Sequence, residues 1–133
     1  MNPLKRFEPT AYALLRIAAG FLFVCHGLQK LLGVLGGHRV ALASMPGAAS
    51  IIETVGGLLV AIGLFTSPAA FICSGEMAFA YFMAHGSKGN VLVPMLNQGE
   101  LAALYCFVFL FFALAGPGAW SVDGVIRGKL RAA

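Results

Sequence analysis

The chain has 133 residues, 59% of them hydrophobic and 11% charged, with a mean hydropathy of +0.87. A soluble domain of this size needs more charge to stay dispersed, whereas a bilayer is itself an apolar solvent, so the composition excludes an ordinary soluble globule. The net charge of +4 comes from bases at the two ends and in short loops, where they flank apolar runs, and it carries no nucleic-acid signature.

A membrane-spanning helix needs roughly 17–25 mostly apolar residues. Four such stretches fill most of the chain, which predicts one all-α membrane domain over residues 1–133, a four-helix transmembrane bundle. The first stretch runs from about Ala11 to Leu32 and ends at Gly33, Gly36 and Gly37. Lys5 and Arg6 precede it as they would in a signal peptide. The run nevertheless holds Arg16, His26, Gln29 and Lys30 and is closed by no clean A-x-A site, so a retained helix is expected. His38 and Arg39 lead to a turn signal at Pro46-Gly47.

The second stretch runs from about Ala48 to Phe65, and Thr66-Ser67-Pro68 reads as a tight turn. Pro68 suits the first turn of the third stretch, which continues to His85, because its missing N–H is not needed there. Gly86 to Gln98 is glycine-rich and then apolar and is expected to lie on the membrane face. The fourth stretch runs from Gly99 to Ala115, and Gly116-Pro117-Gly118 stops it. Trp120 then suits the membrane–water boundary. Ser121 is placed to cap a short interfacial amphipathic helix carrying Val122, Val125, Ile126 and Leu130, with Arg127, Lys129 and Arg131 as its charge. Four spans put both termini on one side, and the excess of bases there predicts that both are cytoplasmic.

Every span carries ionisable groups. The first holds Arg16, His26 and Lys30, and the others hold Glu53, Glu76 and Glu100 in turn. A charge at mid-bilayer costs about 2.5–3.5 kcal/mol on insertion scales, so these groups should face the bundle and find partners. At about 100° per residue Arg16, Gly20, Phe23, Gly27 and Lys30 share one stripe of the first helix, and its glycines would let a neighbouring backbone approach. By depth, Arg16 and Glu76 are expected to form a structural ion pair. His26, Gln29, Lys30, Glu53, His85, Asn97 and Glu100 all come near the outer boundary, as a polar chamber or as a hydrogen-bond network that fixes the helices. Cys25, Cys73 and Cys106 lie in apolar runs without CxxC spacing, which reads as reduced, buried thiols and no metal site.

Leu15-Arg16, the run His26-Gly27-Leu28-Gln29-Lys30-Leu31, Glu53 with Gly56-Gly57-Leu58, and Gly63-Leu64-Phe65-Thr66 follow in order. They are joined by Gly99-Glu100-Leu101, Gly116-Pro117-Gly118 and Trp120-Ser121-Val122-Asp123. In these motifs the chain resembles the DoxX family. The resemblance implies a four-helix protein of the bacterial inner membrane and a place in membrane redox biology, since some members are linked to quinone-coupled oxidation of sulfur compounds and to oxidative-stress assemblies. It carries over His26, Gln29, Lys30, Glu53 and Glu100 as candidate site residues; His85 and Asn97 rest on spacing and depth.

The leading expectation is a quinone-interacting redox protein, or the membrane subunit of an oxidoreductase complex. His26, Lys30, Glu53 and Glu100 would be its catalytic set, with Gln29, His85 and Asn97 binding the quinone. An amphipathic pocket suits a quinone, with His26 or Lys30 donating to a carbonyl oxygen and Glu53 or Glu100 passing protons. No GxGxxG, CxxCH or iron–sulfur spacing accompanies this, so electrons would come from a partner redox protein or from a reduced substrate. The alternative is a non-catalytic small-molecule or lipid-binding protein, or a scaffold. Haem ligation by His26 and His85 rests on depth alone, and proton-coupled transport lacks a detectable inverted repeat.

Overall fold

The computed structural model describes residues 2–132, and every regular element in them is helical. A 3₁₀ turn over Pro3–Phe7 leads into α1 (Glu8–Leu32), which ends where Gly33 turns left-handed at φ 70° and donates its N–H to Gln29 O. Helix α2 (Met45–Ile62) begins three residues before the expected boundary. Ser44 caps it by accepting from Gly47 N, and Pro46 occupies the first turn, where no N–H is required. The Pro46-Gly47 pair therefore starts a helix rather than marking a turn.

Helix α2 stops at Gly63, φ 71°, and α3 (Thr66–Ala80) follows at once. It continues through a π turn over Tyr81–His85 and a 3₁₀ turn over Gly86–Lys88. The next segment exposes Leu92, Met95 and Leu96 and contains only the short α4 (Pro94–Asn97). Helix α5 (Glu100–Ala115) and the terminal α6 (Val122–Ala132) complete the chain. The runs Pro3–Leu32 and Met45–Ile62 are long and apolar enough to cross a membrane, and α5 is a shorter apolar helix.

Helix α1 packs along α2 and α3 along α5, with Phe23, Val60, Cys73, Phe109 and Phe112 buried between them. The α1–α2 seam is a backbone contact. A Cβ on Gly20 would lie 2.6 Å from Gly57 O and from Ala61 N, and one on Gly27 would lie 2.6 Å from Thr54 N. Gly27→Ala should therefore destabilise by about 1–3 kcal/mol through overpacking, although alanine is the better helix former by about 1 kcal/mol. Gly75→Ala, where nothing lies within 4 Å, should be neutral or stabilising. Thermal melts of the two variants in detergent check the opposite signs.

One end of the molecule is tied by two charged residues. Arg16 is fully buried. Its Nε donates to Val60 O at 3.1 Å, its Nη1 to Ala119 O at 2.9 Å and to Pro117 O, and its Nη2 to Trp120 O at 2.7 Å. The expected ion pair with Glu76 is thus corrected. A guanidinium offers five donors in a fixed fork, and here they satisfy carbonyls at the end of α2 and in the turn after α5. Glu76 lies ten residues beyond the start of α3, about 15 Å further along its axis.

Asp123, in the first turn of α6, caps α3 across the chain. Its carboxylate accepts from Phe65 N and Thr66 N at 3.0 Å each and from the Thr66 hydroxyl at 3.1 Å, and its own N–H donates to Gly63 O. Ser121 caps α6 by accepting from Gly124 N, as expected. That helix exposes Val122, Val125 and Ile126; the places expected for Leu130 and Arg131 lie outside the described side chains.

Burial pushes the Asp123 carboxyl upward, but the Thr66 and Phe65 N–H groups, the Thr66 hydroxyl and nearby Arg127 outweigh it and hold the group below the ordinary aspartate range. Its contribution to stability is therefore complete above the unfolded pKa of about 3.9 and is lost as pH falls through the lower folded value. Asp123→Ala should cost about 1 kcal/mol at neutral pH. The gap between variant and parent in chemical denaturation should close only in strong acid.

Candidate functional site

At the opposite end of α1 from Arg16, about 21 Å along the helix, the four long helices line a half-open cavity of about 290 Å³. Phe23, His26 and Lys30 of α1 line it, with Glu53 of α2 and Met77, Ala80, Ala84 and His85 of α3. Gln98, Leu101, Ala102 and Tyr105 complete it from the α5 side. Lys30 Nζ lies 2.6 Å from Glu53 Oε1, the one ion pair among the described residues. Lys30 keeps 36% of its side chain exposed, whereas Glu53 keeps 2%. The lysine therefore bridges the buried carboxylate to the boundary.

Two local distortions coincide with this cavity. Glu53 sits inside a π turn over Ile52–Gly56, and His85 closes the second π turn, Tyr81–His85. A π turn inserts one residue into the helical register and occurs often at functional sites. Each one here carries a polar side chain that lines the cavity.

Glu53 Oε2 is buried and has no hydrogen-bond partner, and the same is true of Oε2 of Glu76. Glu76 lies near enough to Glu53 and Lys30 to feel both charges. One ammonium therefore stands against two carboxylates, each with an unused acceptor site. Removal of such oxygens from water is costly, so each calls for a proton, a water or a ligand as partner.

The remaining polar groups are held in place. His26 packs edge-on to Tyr105, with ring centroids 6.1 Å apart. His85 Nδ1 is 3.1 Å from Asn97 O. A carbonyl only accepts, so Nδ1 carries a proton and donates to it. Asn97 is buried, donates to Tyr81 Oη and Asn90 O, and accepts from Gly99 N, while Tyr81 Oη donates to Val91 O at 2.7 Å.

Of the seven residues expected at the site, His26, Lys30, Glu53 and His85 meet in the cavity. Asn97 instead ties the segment after α3 to Tyr81. Gln29 donates to Leu35 O and packs under Gly37, holding the loop after α1. Glu100 is exposed on the outer side of α5, beside an open groove of Leu92, Met95 and Phe107. Depth placed it correctly along the helix, but its rotation about the axis turns it away from the chamber. Glu76, expected to pair with Arg16, lies close enough to Lys30 and Glu53 to feel their charges but does not line the cavity. Tyr105, Met77 and Gln98 were not singled out from the sequence; the spacing Ala102, Tyr105, Phe109, Phe112 along one helical face was the available signal for Tyr105.

The DoxX family pattern matches residues 11–86, which carry most of α1, all of α2 and α3, and with them Arg16, Lys30, Glu53 and Glu76. That match covers more than half of the molecule. The chain belongs to the DoxX family. Similar proteins include an uncharacterized protein of Haemophilus influenzae, 44% identical over 92% of this chain and 96% of its own length. The inner membrane protein YphA of Escherichia coli is 30% identical over 92% of this chain and 99% of its own. The inner membrane protein YqjF of the same organism is 26% identical over 95% and 99%. No solved structure matches the chain. Within this DoxX chain the matched residues bring Lys30 and Glu53 together, and α5, beyond the matched segment, lines the cavity with Leu101, Ala102 and Tyr105.

Proposed function

We propose that this DoxX chain crosses the bacterial inner membrane four times, with both termini cytoplasmic, and binds the ring of a quinone in the cavity between its helices. The observation that carries the reading is the buried Glu53 carboxylate, paired with the Lys30 ammonium through one oxygen and unpartnered at the other, in a cavity close to the small end of ligand pockets, about 300–1,000 Å³. The spanning reading is supported by the lengths of α1 and α2, by the apolar character of the shorter α5, by the bases at both ends of the chain, and by relatives named as inner membrane proteins.

In this reading Lys30 and His26 donate to a quinone carbonyl oxygen, and Phe23, Met77 and Tyr105 hold the ring by apolar contact. Glu53 Oε2 and Glu76 Oε2 take or give the protons that accompany reduction, and Lys30 links them to the boundary. Electrons enter from a partner redox protein or a reduced substrate. Glu100 and Asn97 have no part in the chemistry.

The test is binding and turnover by the full chain in mild detergent, with ubiquinone and menaquinone analogues as probes. Saturable binding that weakens about tenfold or more in Glu53→Gln, with reduction of the bound analogue, is the expected result. Binding without turnover under every reductant offered would favour the alternative, a non-catalytic binding or scaffold protein. No saturable binding of either analogue would sink the quinone reading.

A further inference from the structure

The chain has three tyrosines, and two of them commit their hydroxyls to the fold. Tyr12 Oη donates to Gly116 O at 2.5 Å, and Tyr81 Oη donates to Val91 O at 2.7 Å. Tyr105 differs. It is only 7% exposed, yet its hydroxyl has no hydrogen-bond partner among the described residues. The sealed, unpartnered oxygens are Oε2 of Glu53 and of Glu76, so the Tyr105 oxygen keeps some open surface. Its ring lines the cavity and is held on several sides. Phe109 stacks on it with centroids 5.5 Å apart, Phe23 lies at 5.3 Å, and His26 meets it edge-on at 6.1 Å. A buried tyrosine ordinarily finds a partner for its hydroxyl, and burial without one is costly. Phenylalanine would fill the same aromatic stack without that cost, so packing alone does not account for the oxygen.

We infer that the Tyr105 hydroxyl is a ligand-binding donor that selects a ring carrying two carbonyl oxygens on opposite edges. Lys30 and His26 hold one of these oxygens, and Tyr105 Oη donates to the other. The Lys30 ammonium is pinned to the α2 carboxylate of Glu53, whereas Tyr105 belongs to α5, so the donors enter the cavity from different walls. A ligand held by both therefore needs an acceptor at each of two edges, as a para-quinone has. A ring with a single carbonyl satisfies one wall only. The assignment rests on the quinone reading of this cavity and adds the group that recognises the second oxygen.

The test is equilibrium dialysis of the full chain in mild detergent against menadione and against 1-tetralone, a bicyclic ring of similar size with one carbonyl. Tyr105→Phe should weaken menadione binding about tenfold, because the second carbonyl oxygen is left buried without a donor. It should leave 1-tetralone binding unchanged, since the charged donor claims the single oxygen. It should also melt no lower than the parent, having lost no internal hydrogen bond. Equal menadione affinity in parent and Tyr105→Phe overturns the assignment and leaves the quinone reading standing. So does an equal loss for the two probes, which would assign the effect to the ring. A melt lower by more than about 2 °C also overturns it, because the hydroxyl would then have a partner in the fold. A parent protein that does not bind menadione saturably takes both the assignment and the quinone reading with it.

Discussion

Arg16→Ala should be the most damaging single substitution in the molecule, lowering stability by about 4 kcal/mol or more. The side chain is fully buried and satisfies four carbonyl oxygens, those of Val60, Pro117, Ala119 and Trp120. A buried acceptor left without a donor costs about 1–3 kcal/mol. Truncation also opens a cavity beside Gly63, where a Cβ would stand 3.2 Å from Arg16 Cζ. Against a total of about 5–15 kcal/mol, that loss should loosen both the end of α2 and the turn before α6. Arg16→Lys should recover less than half, because one ammonium cannot reach acceptors spread around the in-plane edge of the guanidinium. Thermal unfolding in detergent measures both variants, and melts of Arg16→Ala and Arg16→Gln within about 2 °C of the parent would contradict the account.

The second large effect is an asymmetry between the partners of the Lys30–Glu53 ion pair. Lys30→Met leaves Glu53, only 2% exposed, without its cation and still next to Glu76. Removal of one partner of a buried pair costs about 3–5 kcal/mol; with Lys30 one-third exposed, screening brings the expected cost to about 2–3 kcal/mol. Glu53→Gln should cost less, because the lysine stem is free to carry its ammonium out to the boundary. The double substitution Lys30→Met/Glu53→Gln should regain most of what Lys30→Met loses. A double-mutant cycle by chemical denaturation reads the coupling directly, and additive losses would mean that the 2.6 Å contact contributes nothing.

Much of the helical layout was legible because each long helix is written as an apolar run between glycines and prolines. Helices α1, α3 and α5 begin and end within a few residues of the stretches expected from Ala11, Pro68 and Gly99. Pro46 misled because a proline serves equally in a turn and in the first turn of a helix, and only the cap from Ser44 decides between them. The polar residues were legible by depth and less so by direction. Lys30, Glu53, His26 and His85 converge as depth suggested. Glu100 does not, since depth along an axis says nothing of rotation about it.

The Arg16–Glu76 pairing failed for a different reason. Opposite charges announce themselves in a sequence, whereas the carbonyls that Arg16 chose belong to Val60, Pro117, Ala119 and Trp120, whose side chains bear no mark of the role. The two π turns were equally silent. Each adds one residue to a helical register that the stretch Ile52–Gly56 or Tyr81–His85 would not otherwise reveal, and each holds a residue that lines the cavity, Glu53 or His85.

The Arg16 fork also fixes an order of events during biosynthesis. Three of its four acceptors lie 101 to 104 residues downstream. At about 5–20 residues per second, translation takes roughly 5–20 s to reach them. Throughout that interval the first helix holds a guanidinium whose final partners have not been made, so it must be sheltered by the insertion machinery, by lipid phosphates or by water. A chain truncated before Gly116 and released into the membrane should therefore remain extractable or protease-sensitive at α1, while one truncated after Asp123 and released should be locked.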